Sequence, residues 1–364
     1  MLMNTQAVRF NNNTNRNFQN ELRKRVDSYF KDNKISKSGN IHLYLKTVVM
    51  FAAYLVPYFL IVFHVFEQKS VWLLLAVLMG FGMAGIGMSV MHDANHGSYS
   101  KNTTLNKILG FFSISLLSGN SLNWRIQHNV IHHTYTNVHD HDEDIAPLGF
   151  LRFDPHSEKK WIHKFQFLYA WFFYGLMTLM WSTTKDFQQV IRYHKAGHLK
   201  AAKTTLGTEM AIIVVSKILY FAYMLVPYVL IPEMSFLNWL TGYVVMHYVA
   251  GFTLAVVFQV AHVTEENEFP LVSDENTLEN NFIEHQLKTT MNFATNNKLV
   301  SYLVGGLNYQ VEHHLFPAIS HIHYPKISKI VEATAHEFNV PYKKKKTFVG
   351  AVFLHGKMLW KLGK

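Results

Sequence analysis

Cysteine is absent from all 364 positions. That excludes disulfides, iron–sulfur clusters, thiolate-ligated haem and cysteine nucleophiles. Acidic residues are also short: 24 Asp and Glu against 34 Lys and Arg leave a formal net charge of +10. No nucleic-acid recognition motif or basic–aromatic platform accompanies that excess, so it reads as charge facing anionic lipid. No internal repeat, low-complexity tract or long linker interrupts the chain, which reads as one membrane-embedded unit over 1–364. No cleavable signal peptide is expected, because the polar stretch Asn11–Asn20 precedes any apolar run.

Apolar residues and imidazole dominate instead. Hydrophobic residues make up 49% of the chain, and 22 positions are histidine. A bilayer core about 30 Å thick needs roughly 20 mainly apolar residues per spanning helix. Four stretches qualify, at about 43–66, 71–91, 210–231 and 236–260. A shorter aromatic stretch, Phe165–Trp181, reads as interfacial or packed on the bundle. The run Gly80–Met88 supplies small residues that let helices approach closely. Lys and Arg crowd the N-terminal segment 1–42 and the long segments 92–206 and 261–364. The two short connections hold one lysine, Lys69. The positive-inside rule then puts both termini and the middle segment in the cytoplasm. The predicted fold is an all-α membrane protein, with four transmembrane helices in two hairpins under a histidine-rich cytoplasmic helical cap.

Histidines cluster at one end of that topology. His92 and His96 fall where the second span emerges, and His262 where the fourth does. His128, His132 and His133 lie in the middle segment, and His313 and His314 in the C-terminal one. Spacings of four residues (His92/His96, His128/His132) put both rings on one helical face. An adjacent pair turns its second ring about 100° away, which suits two neighbouring ions better than one. Eight imidazoles exceed what one tetrahedral site takes. Imidazole serves zinc, copper, iron and nickel alike, so donor type alone leaves the metal open.

The segments "HDANH", "HNVIHH" and "QVEHH" resemble the three histidine boxes of membrane fatty acid desaturases. "NHGSYSKN", "HQLKTTMNFATN" and "GGLNYQVEHHLFP" extend the resemblance over about 43–342. The resemblance implies a di-iron centre that uses dioxygen and two electrons to insert a cis double bond into a long-chain acyl-CoA or acyl-lipid. It implies His92, His96, His128, His132, His133, His262, His313 and His314 as ligands. Gln310 stands where many relatives have a further histidine. That glutamine resembles the front-end, linoleoyl-CoA desaturase-like branch, and it is a candidate ligand or water holder. With no fused haem motif and no cysteine, a separate ferredoxin or cytochrome with its reductase is the implied electron donor. Membrane lipid is a further partner, and a bacterial inner membrane is the expected location.

Metal-bound histidines donate their second N–H to a carboxylate or carbonyl. Asp93, Asp142, Asp144 and Glu312 are the candidates, with Asp140 and Glu143 beside them. The loop Asp140–Asp144 also reads as a solvated segment or a donor-docking patch. Trp124, Arg125, Arg152 and Lys159 are candidate head-group contacts or interfacial anchors. His139 and His141 lack helical spacing with another box, and His285 is ambiguous. His247, mid-span, is either functional or a neutral ring bonded to a neighbouring helix. His156, His163, His194 and His198 read as surface or interfacial. Lys343–Lys346 reads as solvated or lipid-facing, and 324–339 as an amphipathic helix. The competing readings are a di-iron lipid or alkane hydroxylase, a zinc-dependent intramembrane hydrolase, and a metal transporter or haem-carrying subunit.

Overall fold

The computed structural model describes residues 8–11, 14–146 and 149–364. The first seven residues of the expected N-terminal segment lie outside them. Four helices are long and apolar enough to cross a membrane: Ile41–Val62, Lys69–Asn95, Leu206–Leu230 and Phe236–His262. They match the four expected spans. The second and fourth run further at the ends that reach the histidine cluster, far enough to carry His92 and His262 themselves.

Local sequence explains where the spans start. Asn40 accepts from the His42 N–H, Thr205 from Thr208 and Ser235 from Asn238, so each cap satisfies an orphan backbone donor. The second span is the hub of the bundle. A Cβ on Gly82 would meet the backbone of Ala53 and Tyr54 at 2.6 Å, and one on Gly80 would meet Met246 O at 2.6 Å. Glycine therefore lets the second span touch the first on one side and the fourth on the other. The first and third spans bury little and face lipid.

The stretch expected at Phe165–Trp181 forms two helices, Gln166–Gly175 and Met177–Thr183. They pack on the fourth span, where Gly251 faces Gly175 O at a distance that excludes a side chain. They also expose Leu168 and Phe172. His247 bonds Tyr220 Oη at 2.6 Å and Thr178 Oγ1 at 3.1 Å, so it is a satisfied ring tying three helices together.

The cap contains elements that hydropathy did not announce. Helix Arg16–Asp32 buries Phe18, Leu22 and Val26 against Ile327, Val331 and Ala335 of helix Tyr324–Glu337. Each such side chain contributes about 1.5–3 kcal/mol on burial. A C-terminal helix, Phe348–Gly363, packs Met358 and Leu359 into the core under Tyr174. Two short parallel pairings join distant segments: Arg9–Phe10 with Thr277–Leu278, and Asn292–Phe293 with Lys344–Lys345. The lysine run is thus partly a strand. Lys343 donates to Lys288 O, and Lys344 pairs with Glu332.

Candidate metal centre

Two π-helical turns shape the site. Gly87–Met91 precedes His92, and Ile126–His132 carries the second histidine group. A π-turn adds a residue per turn, so the four-residue pairing expected for His128 and His132 is not the closest one. His128 instead meets His133, Nε2 to Nε2 at 3.3 Å. His132 turns towards His262 and His314, at ring-centre distances of 4.8 and 5.0 Å. The third group arrives by way of Gly305 and Gly306, both at positive φ. A Cβ on Gly305 would lie 2.2 Å from Met88 O. Glycine there lets the loop press against the first π-turn and deliver helix Gln310–Leu315.

The eight histidines gather into two overlapping nitrogen clusters. One comprises His92, His96, His128 and His313, the other His132, His262 and His314, and His133 groups with His313 and His314. His313 Nε2 lies 3.1 Å from His92 Nε2 and 2.9 Å from His133 Nε2. Lone pairs at that separation repel unless a cation or proton lies between them. With metal–nitrogen bonds of about 2.1 Å, two nitrogens at octahedral or tetrahedral angles sit about 3.0–3.4 Å apart. The spacing therefore fits shared metals. Among the described residues, His96 Nε2, His132 Nε2 and His314 Nε2 are buried without a hydrogen-bond partner, a cost that metal ligation removes. Burial first, then repulsion from neighbouring rings, holds His128, His133, His313 and His314 well below the usual imidazole range. These rings are neutral at pH 7, with lone pairs free to bind.

Partners on the far nitrogens fix the ring orientations. His132 Nδ1 donates to Asp142 Oδ2 at 3.0 Å, with Asp144 3.5 Å away. Burial pulls His132 down, but the Asp142 carboxylate outweighs it and raises the ring above its ordinary value. Burial, opposed by His132, pushes Asp144 up to about 6. His314 Nδ1 donates to Gln286 Oε1 at 2.9 Å, and Gln286 Nε2 returns a bond to His133 O at 3.0 Å. His313 Nδ1 meets Tyr324 Oη at 3.2 Å. Asp93 Oδ1 faces His92 Nδ1 at 3.8 Å, while its Oδ2 accepts from Ser320 Oγ and His321 Nδ1 at 2.7 and 2.9 Å. His321 Nε2 reaches buried Lys46 Nζ at 3.1 Å.

Other expectations land elsewhere. Glu312 turns away from the rings to Asn292 Nδ2 and Tyr342 Oη, at 2.8 and 2.9 Å, and burial pushes it up to about 8. A carboxyl next in sequence to a ligand points off the helix in a different direction, so it pins the helix rather than a ring. Glu143 is taken by Arg192 and Tyr193. Trp124, expected as a head-group contact or interfacial anchor, has its ring centre 4.4 Å from that of His128 and walls the cluster. Arg152 spends its guanidinium on the carbonyls of Ser157, Leu362 and Pro155. Arg125 bonds Ser121 O at 3.4 Å and Lys159 reaches Lys364 O. His285 stands edge-on to Phe10 outside both clusters, and its neighbour Gln286 serves the site. His163 is buried, bonded to Gly149 O, rather than at a surface. Gln286, Tyr324, His321 and Lys46 went unnoticed in the sequence; only the quoted "HQLKTT" segment hinted at Gln286.

Comparison with known proteins agrees with this geometry. Residues 70–346 match the family described as fatty acid desaturase. An sn-1 linoleoyl-lipid 6-desaturase of Arthrospira platensis is 35% identical over 92% of this chain and 89% of its own length. An acyl-lipid (8-3)-desaturase of Physcomitrium patens is 36% identical, over 96% of this chain and 72% of its own. An sn-1 linoleoyl-lipid 6-desaturase of Synechocystis sp. is 34% identical over 96% of each chain. With four apolar spans under a buried histidine centre and a family match across most of its length, this chain belongs to the fatty acid desaturase family, as an integral membrane enzyme that introduces double bonds into fatty acyl chains.

Proposed function

We propose that the chain is a front-end acyl-lipid desaturase with two iron ions, working as a single membrane-embedded unit with its active site facing the cytoplasm. His92, His96, His128 and His313 would hold one iron, His132, His262 and His314 the other, with His133 beside both. Bound iron supplies dioxygen activation and the oxidising power to remove hydrogen from an unactivated C–H bond. The balance is one acyl CH2–CH2, one dioxygen, two electrons and two protons, giving CH=CH and two waters. A separate ferredoxin or cytochrome with its reductase delivers the electrons. The observation that carries the reading is the paired set of buried imidazole nitrogens at metal-sharing distances. Asp142, Gln286 and Tyr324 keep Nε2 of their rings turned inward, and Trp124 screens one side from water.

Acyl-lipid is favoured over acyl-CoA because the relatives above are named for acyl-lipid substrates.

Protein purified without added metal is expected to carry about two irons per chain, by elemental analysis. One zinc with no iron would favour the hydrolase reading instead. In a host with defined fatty acids, mass spectrometry is expected to find a new double bond on the carboxyl side of an existing one. A hydroxylated product without a double bond would sink the desaturase assignment in favour of the hydroxylase. Gln310, buried against His262, is read as a ninth ligand or the holder of a metal-bound water. Gln310→Ala is expected to lower product formation about 10–100-fold, the range for losing a supporting group at a metal. Gln310→His should retain most of it.

A further inference from the structure

Helix Phe348–Gly363 has two unlike faces. Ala351, Met358 and Leu359 enter the same core as Ala170 and Tyr174 of helix Gln166–Gly175. The outer face shows Val349, Phe353 and Trp360, the first two 77% and 71% exposed. Steps of four and seven residues put these three on one stripe, and no described residue covers it. The neighbouring segment repeats the pattern: Trp161, Phe165, Leu168 and Phe172 are all exposed, again at helical spacing. The two helices abut. A Cβ on Gly356 would meet Trp171 at 3.6 Å, and one on Gly363 would strike His163 O. Both bury their other faces in one core, so both stripes point outward from one layer. A contiguous outward apolar surface marks an interaction site.

Contacts with the fourth span say what that layer touches. The span has 27 residues, about 40 Å of helix. A bilayer is about 30 Å thick in hydrocarbon and about 40–45 Å with its headgroups. However the span crosses, its middle is in hydrocarbon and its ends are near the headgroups. The Phe172 ring centre lies 6.2 Å from that of Tyr248, near the middle of the span. Helix Gln166–Gly175 therefore reaches hydrocarbon. His355 Nδ1, on helix Phe348–Gly363, donates to Val263 O at 2.7 Å, just past the histidine end of the span. That bond ties the C-terminal helix to the headgroup level. Exposed lysines edge its stripe: Lys346, Lys357, Lys361 and Lys364. Lys364 Nζ stands 3.3 Å from the centre of the Trp360 ring. Lys357 and Lys361 share Glu265, and the edge stays net positive, as anionic headgroups favour. An apolar stripe with tryptophan, rimmed by lysine, is the composition of a helix lying in a lipid surface.

We propose that helix Phe348–Gly363 is an in-plane membrane anchor, lying in the lipid surface with Val349, Phe353 and Trp360 at the boundary between headgroups and acyl chains. The occupant of the stripe is bilayer lipid, because the stripe adjoins a helix that already reaches hydrocarbon along the fourth span. The C-terminal helix is then a membrane-surface element and not a water-exposed part of the cap. Its bond to Val263 braces the backbone beside His262. The anchor requires neither metal nor substrate, so it stands apart from the front-end acyl-lipid reading.

The chain lacks cysteine, so Val349→Cys, Phe353→Cys, Leu219→Cys and Lys24→Cys each carry a single thiol. Each full-length variant is labelled with a bimane fluorophore in nanodiscs of phosphatidylcholine and phosphatidylglycerol. Two quenchers are compared, a nitroxide on the lipid acyl chain and aqueous iodide. Leu219, exposed on the third span, sets the value for hydrocarbon. Lys24, exposed on helix Arg16–Asp32, sets the value for water. All four positions are at the surface, so the labels leave the core intact. At 349 and 353 the lipid nitroxide is expected to quench within about twofold of Leu219→Cys, as for a helix face immersed in the interface. Iodide is expected to quench several-fold less than at Lys24→Cys. Quenching by iodide as at Lys24→Cys, with none from the lipid, would overturn the proposal. So would protection from both quenchers, which would put a second copy or another protein over the stripe.

Discussion

His313→Ala is expected to eliminate new double bonds from the membranes of an expressing host and to lower bound iron from two ions to one or none. His313 Nε2 is the closest common neighbour in the site, 3.1 Å from His92 and 2.9 Å from His133. Removing it takes a nitrogen from one cluster and opens the boundary with the other. Water from bulk cannot readily take the place of the lost nitrogen, because the rings around it are buried. His336→Ala is the control, since His336 is exposed and its one ion pair among the described residues is with Glu332 at 3.8 Å. Full activity in His313→Ala, at wild-type expression, would refute the proposed ligand set.

Asp142→Asn should cost about 10–100-fold in activity or iron affinity, the range for an outer partner of a metal-bound histidine. Asp142 accepts from His132 Nδ1 at 3.0 Å, from the Asn137 N–H at 2.9 Å and from the Asp144 N–H at 3.0 Å. One carboxylate therefore orients the ring and closes the loop that follows it. Asparagine keeps the shape but must point its NH2 at one of three donors, which favours the wrong tautomer of His132. Iron titration and product analysis on the same preparation would separate lost affinity from lost turnover. An Asp142→Asn enzyme equal to wild type on both counts would reduce Asp142 to a loop staple.

Chemistry was more legible than packing. The spans could be read because a bilayer imposes length and composition on a helix without help from its neighbours. Their extension to His92 and His262 was less visible, since histidine lowers hydropathy just where the helix continues. The helix Arg16–Asp32 was missed for a related reason: its buried residues recur at four-residue spacing within a polar sequence, and their partner, Tyr324–Glu337, lies some three hundred positions away. Nothing local marks the pairing of Lys344–Lys345 with Asn292–Phe293 either.

By itself the sequence determined the membrane class, the count of spans and the identity of the eight clustered histidines, because each follows from residue type and local spacing. Tertiary structure decided how those histidines divide. The π-turn at Ile126–His132 sets His128 against His133, contrary to ideal helical spacing, and Gly305 brings the last pair against Met88. It also decided which polar groups support the rings. Glu312, adjacent to a ligand, points away, whereas Gln286 and Tyr324 reach in from separate helices. Direction on a folded backbone governs a hydrogen bond, and neighbours in sequence do not share it.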